Sequence, residues 1–310
     1  MPDLKRALKT TDVPPEFLEA AFVVGHVPQM ALQSDLRVSY SLYVPPQPYK
    51  TASTADAGDR TKLPILVNVH GTRRNLGAIY GDLKTFADSM PCAVMQPLFP
   101  AGIEGPNDLD SYKYLKSETF RSDLALISML QEVETRWHYI DTMKIYLMGF
   151  SGGGQFVQRF LLLYPERLVA VSIGAPGKLT SIEKDQRWPK GIQDIQEIFG
   201  RSIDMISIKA VKIHMVVGNE DTGVHGGNDF VKWQMSMKTK MTGLTDGGIA
   251  FTDNIDSEKS KEGRLAALQH MHRLWRDAGI ESYLDIVDGV GHSAEGVRAS
   301  VLQFFGSLLK

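Results

Sequence analysis

The chain has 310 residues, 43% of them hydrophobic, with 34 basic and 36 acidic side chains and a formal net charge of -2. That length can bury a large core and admits either one large α/β domain or two smaller ones. The near-even charge, without a long block of like charges, speaks against nucleic acid and against an anionic membrane surface as partners.

The first residues, MPDLKRALKTTDVPPEF, lack the apolar stretch of a secretory signal, and nowhere does an apolar run reach the roughly 18 residues that a membrane span needs. The sequence therefore reads as soluble and cytoplasmic, with no membrane span. A lone cysteine, Cys92, excludes an intrachain disulfide and suits a reducing compartment. At the head of the run CAVMQPLF it reads as a buried small hydrophobe rather than a reactive thiol.

In chain order, AFVVGHV (21–27) and RVSYSLYV (37–44) read as an antiparallel edge pair of strands. The stretch YKTASTADAGDRTK (49–62) is small, polar and aperiodic, and reads as a surface loop. From residue 63 short apolar runs alternate with amphipathic stretches, the pattern of a parallel sheet covered on both faces. Buried strands are expected at 64–70, 92–99, 144–150, 168–175, 211–218 and 282–289, and helices at about 78–89, 118–137, 153–163 and 262–278. In the second helix Phe120, Leu124, Ile127, Leu130 and Val133 fall at three- and four-residue steps and mark its expected buried face. The fold class is α/β, as a single domain over residues 1–310. Two stretches, 178–210 and 225–260, break the alternation and are read as a cap or lid, because insertions of such length usually cover or line a site.

The sharpest local signal is KIYLMGFSGGGQFVQRF. An apolar strand runs into Gly149-Phe150-Ser151-Gly152-Gly153 and then into a helix with Phe156, Phe160 and Leu163 on one face. G-x-S-x-G alone is weak; the strand before it and the helix after it carry the argument. The glycines allow a strained turn that lifts the Ser151 hydroxyl off the sheet edge. The same turn leaves the Gly152 backbone N–H at a helix start, where it can stabilise an oxyanion. A nucleotide-binding α/β protein is the competing reading of the triple glycine, but no G-x-G-x-x-G surrounds Gly149 and no G-K-[ST] follows.

On these residues the sequence resembles the α/β-hydrolase superfamily, and serine esterases and thioesterases within it, from about residue 20 to 310. The resemblance implies a mostly parallel central sheet with helices on both faces and a small cap built from the two insertions. His70-Gly71-Thr72, after the strand PILVNVH, is similar to the family's H-G motif, which makes the Thr72 N–H the second oxyanion donor with Gly152. T-R-R-N replaces a glycine run here, so Arg73 stays open as the donor, and the His70 ring reads as structural. Asp221, in the turn Gly218-Asn219-Glu220-Asp221, matches the family's acid, with Glu220 a competent neighbour. His292, in Gly291-His292-Ser293 after the last strand, matches its histidine. The chain order Ser151, Asp221, His292 is the one this fold uses.

The resemblance thus implies a serine hydrolase that cleaves an ester or thioester through an acyl-enzyme on Ser151, with no cofactor. Two alternatives use the same scaffold: a transacylase or a lactone-forming, polyketide-releasing enzyme with the same triad, and a non-catalytic binding protein. His270 and His272 point to different helix faces, and neither His214 nor His225 sits in a ligand pattern, so no metal site is expected. The partner expected is a small-molecule acyl substrate, largely apolar. Ile192, Ile195, Ile198, Phe199 and Met205 in one insertion, and Phe230, Trp233, Met235 and Met237 in the other, are read as its apolar wall. The competing reading has these side chains packing the insertions onto the sheet or burying a contact between the subunits of a homodimer.

Overall fold

The computed structural model describes residues 7–55, 61–106, 108–223 and 263–309, so the expected cap segment 225–260 lies outside the described residues. Its strands are β1 (Gly25–Leu32), β2 (Asp35–Val44), β3 (Ile65–Val69), β4 (Ala93–Leu98), β5 (Ile145–Phe150), β6 (Leu168–Gly174), β7 (Lys212–Gly218) and β8 (Tyr283–Val287). They form one sheet in the order β1-β2-β4-β3-β5-β6-β7-β8. The pairs from β4 through β8 are parallel, while β2 pairs antiparallel with β4 and with β1. The helices are α1 (Pro46–Thr54), α2 (Asp82–Ser89), α3 (Ser122–Arg136), α4 (Gly152–Leu163), α5 (Ile195–Phe199), α6 (Met205–Ala210), α7 (Arg264–Asp277) and α8 (Arg298–Leu308).

Both faces of the sheet are covered, which is why its central strands are apolar at successive positions. In β3, Ile65, Val67 and Val69 enter one core and Leu66 the other. The first core receives Leu126 and Met129 of α3, Phe156 and Phe160 of α4, and Leu268 and Trp275 of α7. The second receives Leu83 and Phe86 of α2 and Val301 and Phe305 of α8. Each such side chain contributes about 1.5–3 kcal/mol on burial. Cys92 is fully buried in the second core, and burial pushes its thiol up to about 12. Helix α4 is buried along its whole length, so its polar residues need internal partners. Gln158 bonds the Thr180 backbone at both ends of its amide, and Arg159 reaches Thr180 Oγ1 and the Lys113 carbonyl.

Several expectations need correction. The stretch read as a loop from residue 49 begins inside α1, which starts on Pro46 and buries Tyr49 and Ala52. The first strand lies later than 21–27, because the backbone bends at Phe22 (φ 54°) before pairing begins at Gly25. Pro28 falls inside it at a register shift, a place where an edge strand tolerates a missing N–H. The last strand was expected to be buried, but β8 ends the sheet and Tyr283, Asp285 and Ile286 are exposed. In α3 the buried stripe is Ala125, Leu126, Met129, Leu130 and Val133, and Leu124 points outward. Buried Asp123, held by Arg121 and by the Tyr164 hydroxyl, turns the helix to that face. Helix α8 was not expected at all.

Segment 178–210 holds α5 and α6 and packs against α4. Trp188, Ile192, Ile195 and Phe199 are buried in the first core, with Ile198 and Met205 half-buried against it. Among the described residues no helix is long and apolar enough to cross a membrane.

Candidate active site

Ser151, Thr72, Asp221 and His292 follow the carboxyl ends of β5, β3, β7 and β8, so one edge of the sheet collects all four. Ser151 has φ 57° and ψ -114°, a conformation that a side-chain-bearing residue adopts only where its surroundings force it. Backbone bonds hold it there, from Ser151 N to Gly174 O at 2.8 Å and from Gln155 N to Ser151 O at 3.1 Å. Close approach of strand and helix explains the glycines. A Cβ on Gly149 would meet Gly153 C and O at 2.5 Å, and one on Gly152 would meet Tyr112 Oη at 2.5 Å, Lys113 Cε at 2.7 Å and Thr72 N at 3.1 Å.

The structure joins three of the expected residues in one hydrogen-bonded run. The Ser151 hydroxyl donates to His292 Nε2 at 3.0 Å, which leaves Nδ1–H to donate to Asp221 Oδ2 at 2.6 Å. Asp221 is 2% exposed, whereas its neighbour Glu220 is turned to solvent, so the carboxylate facing the ring is that of Asp221. Burial alone would push the Asp221 carboxyl up. The hydrogen bond from His292 and the Arg264 guanidinium outweigh it and hold the carboxyl below its ordinary value. Arg264, the first residue of α7, reaches Asp221 Oδ1 and Gly223 O, each at 3.1 Å. Thr222 and Gly263 meet beside it, since a Cβ on Gly263 would lie 2.7 Å from Thr222 Cα.

Thr72 N lies 3.1 Å from the place a Gly152 side chain would start, so the backbones of Thr72 and Gly152 approach closely next to Ser151. Arg73 is exposed, in a turn closed from Arg74 N to Gly71 O at 3.0 Å. The His70 ring is occupied: Nε2 accepts from Phe99 N at 3.0 Å and Nδ1 donates to Gly71 O at 2.8 Å. Burial lowers its pKa to about 4, so the ring is a neutral brace for the turn. Arg74 donates to the carbonyls of Phe99, Thr72 and Leu109 and ties the same turn to the following loop.

Sequence reasoning missed Arg264, Arg74, Tyr112 and Lys113 at this edge. No spacing pattern marks them: Arg264, Tyr112 and Lys113 reach the site through contacts distant in the chain, and Arg74 through the carbonyls its own turn brings together. An oriented hydroxyl, an imidazole with a free lone pair toward it, a buried carboxylate behind the ring and two amides at one spot form a set able to attack a carbonyl carbon.

No protein-family model matches the chain, and no curated protein sequence matches it. Solved structures do. The poly(3-hydroxybutyrate) depolymerase LpqC from Bordetella parapertussis is 20% identical with a TM-score of 0.60, over 96% of this chain and 94% of that one. Poly(aspartic acid) hydrolase-1 from Sphingomonas sp. KT-1 is 18% identical with a TM-score of 0.58, over 86% of this chain and 92% of that one. A ferulic acid esterase is 14% identical with a TM-score of 0.55, over 91% and 96%. Sheet order, the strand-turn-helix at Ser151 and these likenesses together identify the chain as a protein of the α/β-hydrolase fold.

Proposed function

We propose that the chain is a serine hydrolase that cleaves a carboxylic ester or thioester through an acyl-enzyme on Ser151. The observation that carries this reading is the run Ser151 Oγ, His292 Nε2, His292 Nδ1, Asp221 Oδ2, with its 3.0 Å and 2.6 Å bonds. His292 takes the Ser151 proton as Oγ bonds to the acyl carbon, and Asp221 keeps the ring in the tautomer that can accept it. The carbonyl oxygen gains the electron pair and is met by the N–H groups of Thr72 and Gly152. Each such donor contributes roughly 3–4 kcal/mol to the transition state in enzymes of this kind. Collapse expels the alcohol or thiol, which takes the proton from His292, and water repeats the sequence on the acyl-enzyme. The solved structures of like fold carry names of ester- and polymer-cleaving hydrolases, which agrees with this reading.

The test is a fluorophosphonate probe followed by peptide mapping. Label on Ser151, lost in Ser151→Ala and in His292→Ala, is the expected outcome. An unlabelled wild type, or label elsewhere in the chain, rejects the reading.

The finer proposal concerns the acyl group, a medium and largely apolar one. For such a site kcat/KM rises about threefold or more per added CH₂ up to a limit. Ile195, 2% exposed in the core, marks the contribution of segment 178–210. Ile195→Ala should cost about 2–5 kcal/mol of stability. A changed chain-length profile in that variant would make the segment a selectivity wall, and an unchanged one a packing element.

A further inference from the structure

Lysine 113 sits in the 3-10 turn Ser111–Tyr114, with its side chain 2% exposed. A buried ammonium is costly unless it is paired. Its ion-pair partner is Asp110, whose side chain is 42% exposed. The carboxylate therefore faces water, which screens it, whereas the ammonium faces protein, which screens far less. Among the described residues, the charged groups that act most on Lys113 are Asp110, Arg74 and Arg159, and the ring of Tyr112 lies 5.9 Å from Nζ.

Four elements clamp this turn. Arg159 of α4 donates to Lys113 O at 2.8 Å and Ser122 of α3 donates to Tyr112 O at 2.7 Å. Trp188 Nε1 reaches Tyr114 O at 3.1 Å, and the Tyr112 hydroxyl donates to His70 O at 3.1 Å. What the clamp holds in place is visible at Gly152. The space a side chain would need there is already taken by Lys113 Cε and Tyr112 Oη, with Thr72 N on its far side. The aliphatic stem of a buried cation thus packs against Gly152, on the residue whose amide is assigned to the oxyanion and close to Thr72 N.

We propose that Lys113 is a positioning residue of the reaction at Ser151, its buried ammonium biasing the Gly152 and Thr72 amide site toward negative charge. The inference rests on the serine-hydrolase reading above. Lys113 gives up no proton and forms no bond. Ser151 Oγ bonds to the acyl carbon, its proton moves to His292, the carbonyl electron pair moves to oxygen, and the fixed positive charge lowers the energy of that last shift. A charge acting this way changes the transition state more than the bound substrate, so it raises kcat and leaves KM nearly alone.

The experiment compares wild type, Lys113→Met and Asp110→Asn with p-nitrophenyl acetate as substrate, a trifluoromethyl ketone as oxyanion-forming inhibitor and a fluorophosphonate label. Lys113→Met should lower kcat about 10- to 100-fold with KM within about twofold, and weaken the trifluoromethyl ketone by the same factor. Its melting temperature should not fall, because methionine fills the space without a charge to desolvate. Asp110→Asn should move the alkaline limb of kcat to lower pH, since the amine then loses its proton sooner. A folded Lys113→Met with wild-type kcat overturns the proposal, and so does a ketone affinity that stays constant. If Lys113→Met does not fold, an unmoved alkaline limb in Asp110→Asn overturns it. A wild type that neither turns over ester nor takes label rejects the hydrolase reading and this inference with it. Label and turnover in wild type with no effect of either substitution rejects the role of Lys113 alone.

Discussion

Ser151 and Ser172 each hydrogen-bond a histidine that in turn meets an aspartate, yet the two groups differ in everything except residue type. Ser172 lies inside β6, 1% exposed, with ladder partners on both sides at Met148 and His214. Its hydroxyl meets His214 Nδ1 at 2.9 Å, and Nε2 meets Asp285 Oδ2 at 3.2 Å, so the ring is turned end for end relative to His292. Asp285 is on the exposed edge strand and also accepts from Ser300 Oγ at 2.6 Å, while His214 stacks on Phe304 at 4.8 Å. This second group ties three neighbouring strands to α8. The contrast shows how little residue identity decides. A strand position commits its amides to neighbouring strands and hides its hydroxyl. A positive-φ turn exposes the hydroxyl beside amides free to meet an oxyanion.

Predictions that separate the two groups follow in order of size. Ser151→Ala should lower kcat by roughly 10⁵- to 10⁶-fold with the fold intact, and Ser172→Ala should leave kcat within about twofold while lowering the melting temperature. Steady-state rates and thermal melts on both variants decide this. Equal losses of rate would erase the distinction. Asp221→Asn should cost about 10⁴ in kcat through the wrong tautomer, and both Glu220→Gln and Asp285→Asn far less. A larger loss for Glu220→Gln would transfer the role to that residue.

A smaller effect concerns pH. Burial holds His214 below its ordinary value and lowers His70 to about 4, so both rings bind protons more weakly folded than unfolded. The unfolded chain then takes up more protons below about pH 6.5, and stability falls as pH drops from there toward 4, by about 3 kcal/mol from His70 alone. Urea midpoints measured between pH 7 and 4.5 should decline, and His214→Gln should flatten part of the slope. A midpoint that rises on acidification would contradict the sign.

The central strands were legible because burial on both faces demands apolar residues at successive positions, as in ILVNV of β3 and KIHMVVG of β7. The edges were not. In β8 the run SYLDIVDG looks as apolar as a central strand, and only its place at the end of the sheet exposes it. The face of α3 was misread because periodicity cannot see that Asp123 is buried by Arg121 and Tyr164. At the site, the turn around Ser151 has a local steric signature and could be read from its glycines. The choice between Glu220 and Asp221 had none, since both are chemically able and only the direction of the turn separates them. Lys113 and Arg264 carry no signature, because Lys113 meets Gly152 and Arg264 meets Asp221 only through the fold.

The contact between Thr222 and Gly263 makes the position of Asp221 depend on the start of α7. Arg264 binds Asp221 and Gly223 there, and Leu265 N bonds Asp221 O at 3.2 Å, so Asp221 is fastened at both its carboxylate and its carbonyl by the first turn of α7. A Cβ on Gly263 would lie 2.7 Å from Thr222 Cα, so the start of α7 rests directly on the turn that carries the acid. A change in the first turn of α7 would therefore be felt at His292 without touching the imidazole, through the carboxylate that Arg264 and His292 share.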